Sequence, residues 1–328
     1  MTQVKAPVVQ RLLDSDWAAG SLADDVRRGL GAHPRTLPPK WLYDDRGSAL
    51  FDEITRLPEY YPTERERHIL CENADRIARE SGASILIELG SGTSDKTRTL
   101  LNAFTATGQL ERFVPVDVSE TTLRRAADAI SHAYPGLQVE AIVGDFTLHL
   151  GHLPQGGPRL VAFLGGTIGN LYVEERAAFL GALADSLAPG DSLLLGFDLI
   201  KDVDRLIGAY DDSQGVTAEF VLNSLRVLNR ELGADFDLDA FTYVPFWDSR
   251  MERMDLRLRS ERPQRVRIPG AGLELDLASG EEIRVEISSK FRAEGIRSEL
   301  GAAGFDVTEA FTDPGNDFAV ILAKRTMS

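Results

Sequence analysis

S-I-L-I-E-L-G-S-G-T-S-D-K (Ser84–Lys96) is the stretch on which the fold turns. Ile85, Leu86 and Ile87 make a short apolar run of the kind buried on both faces of a parallel sheet. The run ends on Glu88 and turns through Gly90, Ser91 and Gly92 into a polar segment, Thr93–Arg98, able to open a helix. Glycine suits that turn because a backbone passing tightly from strand to helix, against a ligand, leaves room for little side chain. An ordinary strand–turn–helix without a ligand can carry a lone G-x-G too, so the reading rests on what comes next. Four more apolar strands follow: F-V-P-V-D-V (Phe113–Val118), V-E-A-I-V-G-D-F (Val139–Phe146), R-L-V-A-F-L-G-G-T-I-G-N (Arg159–Asn170) and D-S-L-L-L-G-F-D (Asp191–Asp198). Helical stretches at Thr97–Ala106, Thr121–His132 and Glu174–Leu187 alternate with them. The pattern predicts an α/β domain, a parallel sheet with helices on both faces.

After Asp198 the alternation stops. Lys201–Tyr210 and Val216–Leu232 read as helices and Phe241–Ser289 as an antiparallel meander, with Met254, Leu256 and Leu258 alternating with Asp255, Arg257 and Arg259. A helix from Lys290 to about Ala303 then leads to two strands, Phe305–Phe311 and Phe318–Lys324, joined through D-P-G-N-D as a hairpin. Upstream, Val8–Leu30 reads as helical, the prolines of His33–Ser48 forbid regular helix, and Ala49–Leu57 is a short amphipathic helix. P-E-Y-Y-P-T (Pro58–Thr63) is a rigid loop presenting two phenols. Thr63 then caps a helix to about Arg79, with Glu66 completing a capping box. The expected division is a nucleotide-type domain of 64–199 and 290–328, with a second α+β lobe of 10–63 and 200–289.

Composition narrows the function. The 328 residues, 43% hydrophobic, fit a folded globular chain. Formal charge is −15, from 51 acidic against 36 basic residues, with no basic run to offset it, so a nucleic-acid substrate is not expected. The one cysteine, Cys71, excludes an intrachain disulfide, fits a reducing cytoplasm and reads as a buried structural thiol. Met1–Gln10 is too polar for a signal peptide and no long apolar span is present, so a soluble cytoplasmic protein is expected, with no membrane partner. His149 and His152 have no further ligand near them, so no metal is expected, and no G-x-S-x-G elbow points to hydrolysis.

Ligands of open α/β sheets lie outside the carboxyl ends of the strands. There the sequence places Glu88 with Gly90, then Asp117, then Asp145 with Phe146, then Gly165–Asn170. A strand-two acid can accept from ribose hydroxyls, and a strand-three aspartate from an adenine amine with Phe146 against the base. Any one of these acids alone reads as a solvated strand end; three in succession after G-S-G point to a nucleoside. A dinucleotide would call for the complete G-x-G-x-x-G, and here the third glycine is absent. S-adenosylmethionine, which carries no phosphate, fits instead, and the closing antiparallel hairpin suits a class I methyltransferase. A nucleotide-dependent oxidoreductase is the more distant alternative, and a non-enzymatic binding module fits less well.

L-P-P-K-W-L-Y-D, L-P-E-Y-Y-P-T, I-E-L-G-S-G-T-S-D-K, F-L-G-G-T-I-G-N, D-L-I-K-D and E-I-S-S-K-F together resemble the bacterial histidine Nα-methyltransferases of ergothioneine biosynthesis, over nearly the whole chain. The resemblance implies a class I (Rossmann-like) methyltransferase domain plus a substrate-binding lobe. It implies three methylations of the histidine α-amine, giving hercynine; a monomer is expected. It implies cofactor contacts at Gly90, Lys96, Asp117, Asp145, Phe146, Gly165 and Thr167, with the G-T-I-G-N loop between the two ligands. Tyr60, Asn170 and Tyr210 would hold the amino acid, Glu286 and Ser288 would read the imidazole, and Tyr43 and Phe51 would line the methyl-transfer end. Two positions depart from the family pattern: Leu256, bordering the implied imidazole pocket, where methionine is expected, and Gly166 where serine is expected. A related branch methylates tryptophan derivatives, the alternative within the same class.

Overall fold

Every residue of Ile85–Leu89 is buried, which explains why the run carries no polar alternation. The computed structural model describes residues 5–13, 17–92, 94 and 96–327. Met1–Val4 of the polar N-terminal stretch, Asp14–Asp16 of the expected first helix, and Thr93 and Asp95 of the polar turn lie outside the described residues. Strands in chain order are β1 (Val8–Arg11), β2 (Arg35–Thr36), β3 (Ile85–Leu89), β4 (Arg112–Asp117), β5 (Gln138–Val143), β6 (Arg159–Phe163), β7 (Ser192–Asp198), β8 (Phe241–Asp248), β9 (Arg253–Ser260), β10 (Gln264–Ile268), β11 (Leu273–Leu277), β12 (Glu282–Ser289), β13 (Phe305–Thr312) and β14 (Phe318–Arg325). The chain divides into two compact units. One comprises Met1–Leu13, Pro62–Ile200 and Lys290–Ser328; the other comprises Asp14–Tyr61 and Lys201–Ser289.

The first unit is built on a sheet of order β1-β5-β4-β3-β6-β7-β14-β13. Strands β1 to β7 within it run parallel, and β14 and β13 close the edge antiparallel. From β3 the chain steps outward through β4 to β5, then returns to the other side of β3 for β6 and β7. That reversal puts the topological switch point at the carboxyl ends of β3 and β6, the position where doubly wound sheets take ligands. One face of the sheet packs Ile87, Val114, Val161 and Leu195 against Phe179, Leu180 and Leu183 of the helix Val173–Ser186.

The second unit carries a four-stranded sheet of order β2-β12-β9-β8 and a separate hairpin of β10 and β11. Helices Trp17–Leu30, Asp45–Ile54 and Val216–Glu231 supply Val26, Leu50 and Phe220 to its core, which also takes Met254, Leu256 and Leu258 from β9. Gly47, in the helix Asp45–Ile54, lies so close to the segment before it that an added Cβ would collide with the Leu42 carbonyl oxygen.

Several expectations are corrected here. Val8–Leu30 is not one helix: Val8–Arg11 pairs parallel with Glu140–Val143, and the helix begins at Trp17. Residues 10–13 therefore belong to the first unit, because the open edge of β5 offers β-branched Val8 and Val9 a ladder. The meander is interrupted: β12 pairs with β9 directly while β10 and β11 pair with each other. Asp145 lies two residues past the end of β5. The helix expected at Ala49–Leu57 occupies Asp45–Ile54, because Asp44 accepts the Gly47 N–H at 2.8 Å and caps it. Cys71 is exposed rather than buried. Among the described residues no helix is long and apolar enough to cross a membrane.

Candidate functional site

In the first unit, the turns after β3, β4 and β5 bring Gly90, Gly92, Asp117 and Phe146 together. Gly90 has φ +67°, and a Cβ there would meet the Phe146 ring at 3.6 Å. Phe146 is fixed edge-on against Phe163 and Phe179, with centroids 5.2 and 5.9 Å away. The Asp117 carboxylate accepts the Gly92 N–H at 2.9 Å on one oxygen and the Ser119 N–H at 2.9 Å on the other. Each oxygen keeps a lone pair for a further donor. Burial raises the Asp117 pKa above its ordinary value, against the pull of those amides. Asp145 is buried, and its Oδ1 accepts from Thr147 N at 2.9 Å and Thr147 Oγ1 at 2.6 Å.

A second group forms where β3 and β6 end. Gly165 and Gly166 both take positive φ, +78° and +71°, before the 3-10 turn Thr167–Asn170. Thr167 Oγ1 donates to the Leu164 carbonyl at 2.9 Å. At Gly166, where serine was expected, an added Cβ would touch the Phe318 ring at 3.6 Å. Lys96, just ahead of the helix Thr97–Ala106, would lie 3.7 Å from a Cβ at Gly165. Its ammonium is paired with Glu66, whose carboxylate also accepts the Gly165 N–H at 2.8 and 3.0 Å. Glu66 is fully buried and makes no capping box, because the helix Tyr61–Ser81 begins two residues before Thr63. Nearby, Glu88 accepts from Thr97 Oγ1, and burial pushes its pKa up to about 7.

These residues fit S-adenosylmethionine. Asp117 offers acceptors suited to two ribose hydroxyls, Phe146 a ring face, and Lys96 a cation for the cofactor's one carboxylate. The glycine turns leave the close approach that a Cβ would obstruct. Among the described residues no group of three or more His, Cys, Asp or Glu side chains is placed to hold a metal.

Asn170 ends the 3-10 turn of the first unit, and in the second unit an aromatic row gathers Tyr43, Phe51, Tyr60 and Tyr210. Tyr43 meets Phe51 and Phe220 at centroid distances of 5.5 and 5.3 Å, Phe51 meets Tyr60 at 6.2 Å, and Tyr60 meets Tyr210 at 6.1 Å, all edge-on. The Tyr210 hydroxyl hydrogen-bonds Ser288 Oγ at 2.8 Å, and its carbonyl accepts from the Tyr243 hydroxyl at 2.8 Å. In the ladder Glu286 stands opposite Leu256, and Ser288 opposite Met254. Tyr243, Pro245 and Trp247 of β8 stand opposite Leu258, Leu256 and Met254. Directly opposed residues share a sheet face. One face thus carries a carboxylate and a hydroxyl in an apolar surround. Burial holds the Tyr243 phenol well above its ordinary pKa, and the Glu286 charge adds to this. Phe220 and Tyr243 escaped sequence reading because their helical and strand patterns look like plain core. Glu66 escaped because T-x-x-E has a local explanation.

Comparison with known proteins identifies the family. The profile of the family described as histidine-specific methyltransferase, SAM-dependent, matches residues 22–325. Over 313 residues the chain is 54% identical to the histidine N-alpha-methyltransferase of Mycolicibacterium smegmatis, covering 95% of this chain and 98% of that protein. It is 52% identical to the protein of the same name from Mycobacterium tuberculosis over the same shares. Ergothioneine biosynthesis protein 1 of Neurospora crassa is 32% identical over 302 residues, 90% of this chain and 34% of that one. The doubly wound sheet with its antiparallel closing hairpin, the family match over residues 22–325 and the two relatives above 50% identity lead to one conclusion: the chain belongs to the histidine-specific, S-adenosylmethionine-dependent methyltransferases.

Proposed function

We propose that the chain transfers three methyl groups from S-adenosylmethionine to the α-amine of L-histidine, giving hercynine and opening ergothioneine biosynthesis. The observation that carries the choice of histidine is the polar pair on β12. Glu286 can accept from one imidazole N–H, and Ser288, already linked to Tyr210, can donate to or accept from the other nitrogen. Leu256 and Met254 opposite them suit the faces of a flat ring. An indole, with one N–H and no acceptor, could meet only one of the two.

S-adenosylmethionine, when bound, supplies the electrophilic methyl. Gly90, Lys96, Asp117, Asp145, Phe146, Gly165 and Thr167 would hold it. The amino acid would be gripped by Tyr60, Asn170 and Tyr210, and the unit of Asp14–Tyr61 and Lys201–Ser289, which supplies the two tyrosines, is assigned to substrate binding. The protein's own work is to keep a neutral amine aligned and dry, since orientation alone can lower such a barrier by about 7–11 kcal/mol. Charge grows on nitrogen during transfer, and the ring faces of Tyr43 and Phe51 suit a developing ammonium. Room around the amine and a lasting carboxylate grip allow the second and third transfers. The formal charge of −15 and the single cysteine fit a cytoplasmic enzyme acting on a small molecule, with no nucleic-acid or membrane partner, and we assign it a monomeric state.

Incubation with labelled S-adenosylmethionine and each amino acid in turn tests the reading. Label should pass to histidine, with a product heavier by three methyls. Transfer to tryptophan in preference to histidine would overturn it.

A further inference from the structure

Glu66 has no role in the reaction as described, yet its setting is costly. Its side chain is fully buried, and the desolvation of a buried carboxylate is offset only when its oxygens are well answered. Both oxygens are answered here, and by parts of the candidate cofactor site. Oε2 pairs with the Lys96 ammonium, and the Gly165 N–H is shared between Oε1 and Oε2. The sheet makes room for it. Position 196, in the middle of β7, is glycine, and a Cβ there would collide with Oε1 of Glu66. A purely structural site of this kind would be filled as well by an apolar side chain. Three chain segments converge on one carboxylate: the helix Tyr61–Ser81, the turn before Thr97, and the glycine turn after β6.

We infer that Glu66 is the positioning residue for the amino-acid end of the cofactor: it fixes the Lys96 ammonium and the Gly165 turn where the cofactor's carboxylate is received. The inference rests on the cofactor part of the function proposed above and is independent of histidine as methyl acceptor. An amide is the sharpest probe because it keeps the shape. In Glu66→Gln the one carbonyl oxygen can serve Lys96 or the Gly165 N–H, and the NH2 group then faces the other donor. Either orientation releases one of the two elements.

The test is calorimetry with S-adenosylhomocysteine, which keeps the carboxylate and needs no acceptor substrate. Glu66→Gln should weaken its binding about tenfold or more, the loss expected for a charge-assisted hydrogen bond. In turnover the KM for S-adenosylmethionine should rise alike, while kcat at saturating cofactor stays within about threefold. In a Lys96→Met background the same substitution should change affinity by less than about twofold, since the ammonium is gone and the amide oxygen can accept the Gly165 N–H unopposed. That comparison also serves if Glu66→Gln alone fails to fold, because the paired exchange removes both the ammonium and its partner. Unchanged affinity in Glu66→Gln, or equal loss in both backgrounds, overturns the inference. If Lys96→Met itself binds S-adenosylhomocysteine like the parent, the cofactor role of Lys96 falls first, and the inference with it.

Discussion

Glu88 shows how one side chain ties the site to stability. Its pKa, ordinarily 4.5, is pushed up to about 7, with burial the largest cause and the Glu66 charge a smaller one; Thr97 and Lys96 pull the other way. The folded chain therefore holds a proton between about pH 4.5 and 7 that the unfolded chain has lost. Stability falls as pH rises through that window and levels off above about 7. Glu88→Gln, neutral throughout, should gain on the parent across the same window, by an upper bound of roughly 3 kcal/mol. Urea denaturation of both ligand-free proteins at several pH values, followed by circular dichroism, measures this; a gap that does not change with pH would mean Glu88 is ionised throughout. Residues of this kind were partly legible. Asp117 and Asp145 are legible only with Glu88, as three acids at successive strand ends with G-S-G, since each alone reads as a solvated end. Glu66 is not legible, since what it contacts is Gly165, ninety-nine positions on, and sequence spacing carries no trace of that.

At the scale of elements, short-range pattern read well and long-range pairing did not. The run Ile85–Leu89 and the hairpin of β13 and β14 declare themselves through apolar runs and a D-P-G-N-D turn. Val8–Arg11 could be helix or strand on its own residues, and the edge of β5 decided between them. Likewise nothing local says that β12 should bypass β10 and β11 to reach β9. Gly47 is a sharper instance, for an Ala in a helix interior is worth about 1 kcal/mol over Gly. Yet a Cβ there would strike the Leu42 carbonyl and stand 3.2 Å from Asn223 Nδ2, which bonds the capping Asp44 at 2.7 Å. A collision with backbone should win, leaving Gly47→Ala less stable by about 1–3 kcal/mol. Trp17, Trp41 and Trp247, the chain's three tryptophans, all belong to the second unit, so fluorescence reports its unfolding. A lower midpoint is expected; a higher one would mean that helix propensity outweighs the close approach.

For the whole molecule the decisive property is charge. With 51 acidic and 36 basic residues the protein carries a formal −15, and within that total Asp117, ending β4, Asp145, just past β5, and the buried Glu66 stand in the first unit against Lys96. S-adenosylmethionine has a net positive charge, from sulfonium and ammonium against one carboxylate. The demethylated product, S-adenosylhomocysteine, is a neutral zwitterion with the same adenosine and the same carboxylate. The field of the protein therefore favours cofactor over spent product, through an attraction that local contacts do not supply. Salt screens that field, with a Debye length of about 10 Å at 0.1 M and 3 Å at 1 M. Raising ionic strength from about 0.02 to about 0.5 M should weaken S-adenosylmethionine binding by about 3- to 10-fold and leave S-adenosylhomocysteine nearly unchanged. Because the two ligands share every other group, the ratio of their affinities cancels salt effects on hydrophobic burial and on the Lys96 pair. Calorimetric titration of both ligands across that range gives the ratio directly. A parallel response would mean that the acidic balance serves solubility and that only local contacts distinguish the two ligands.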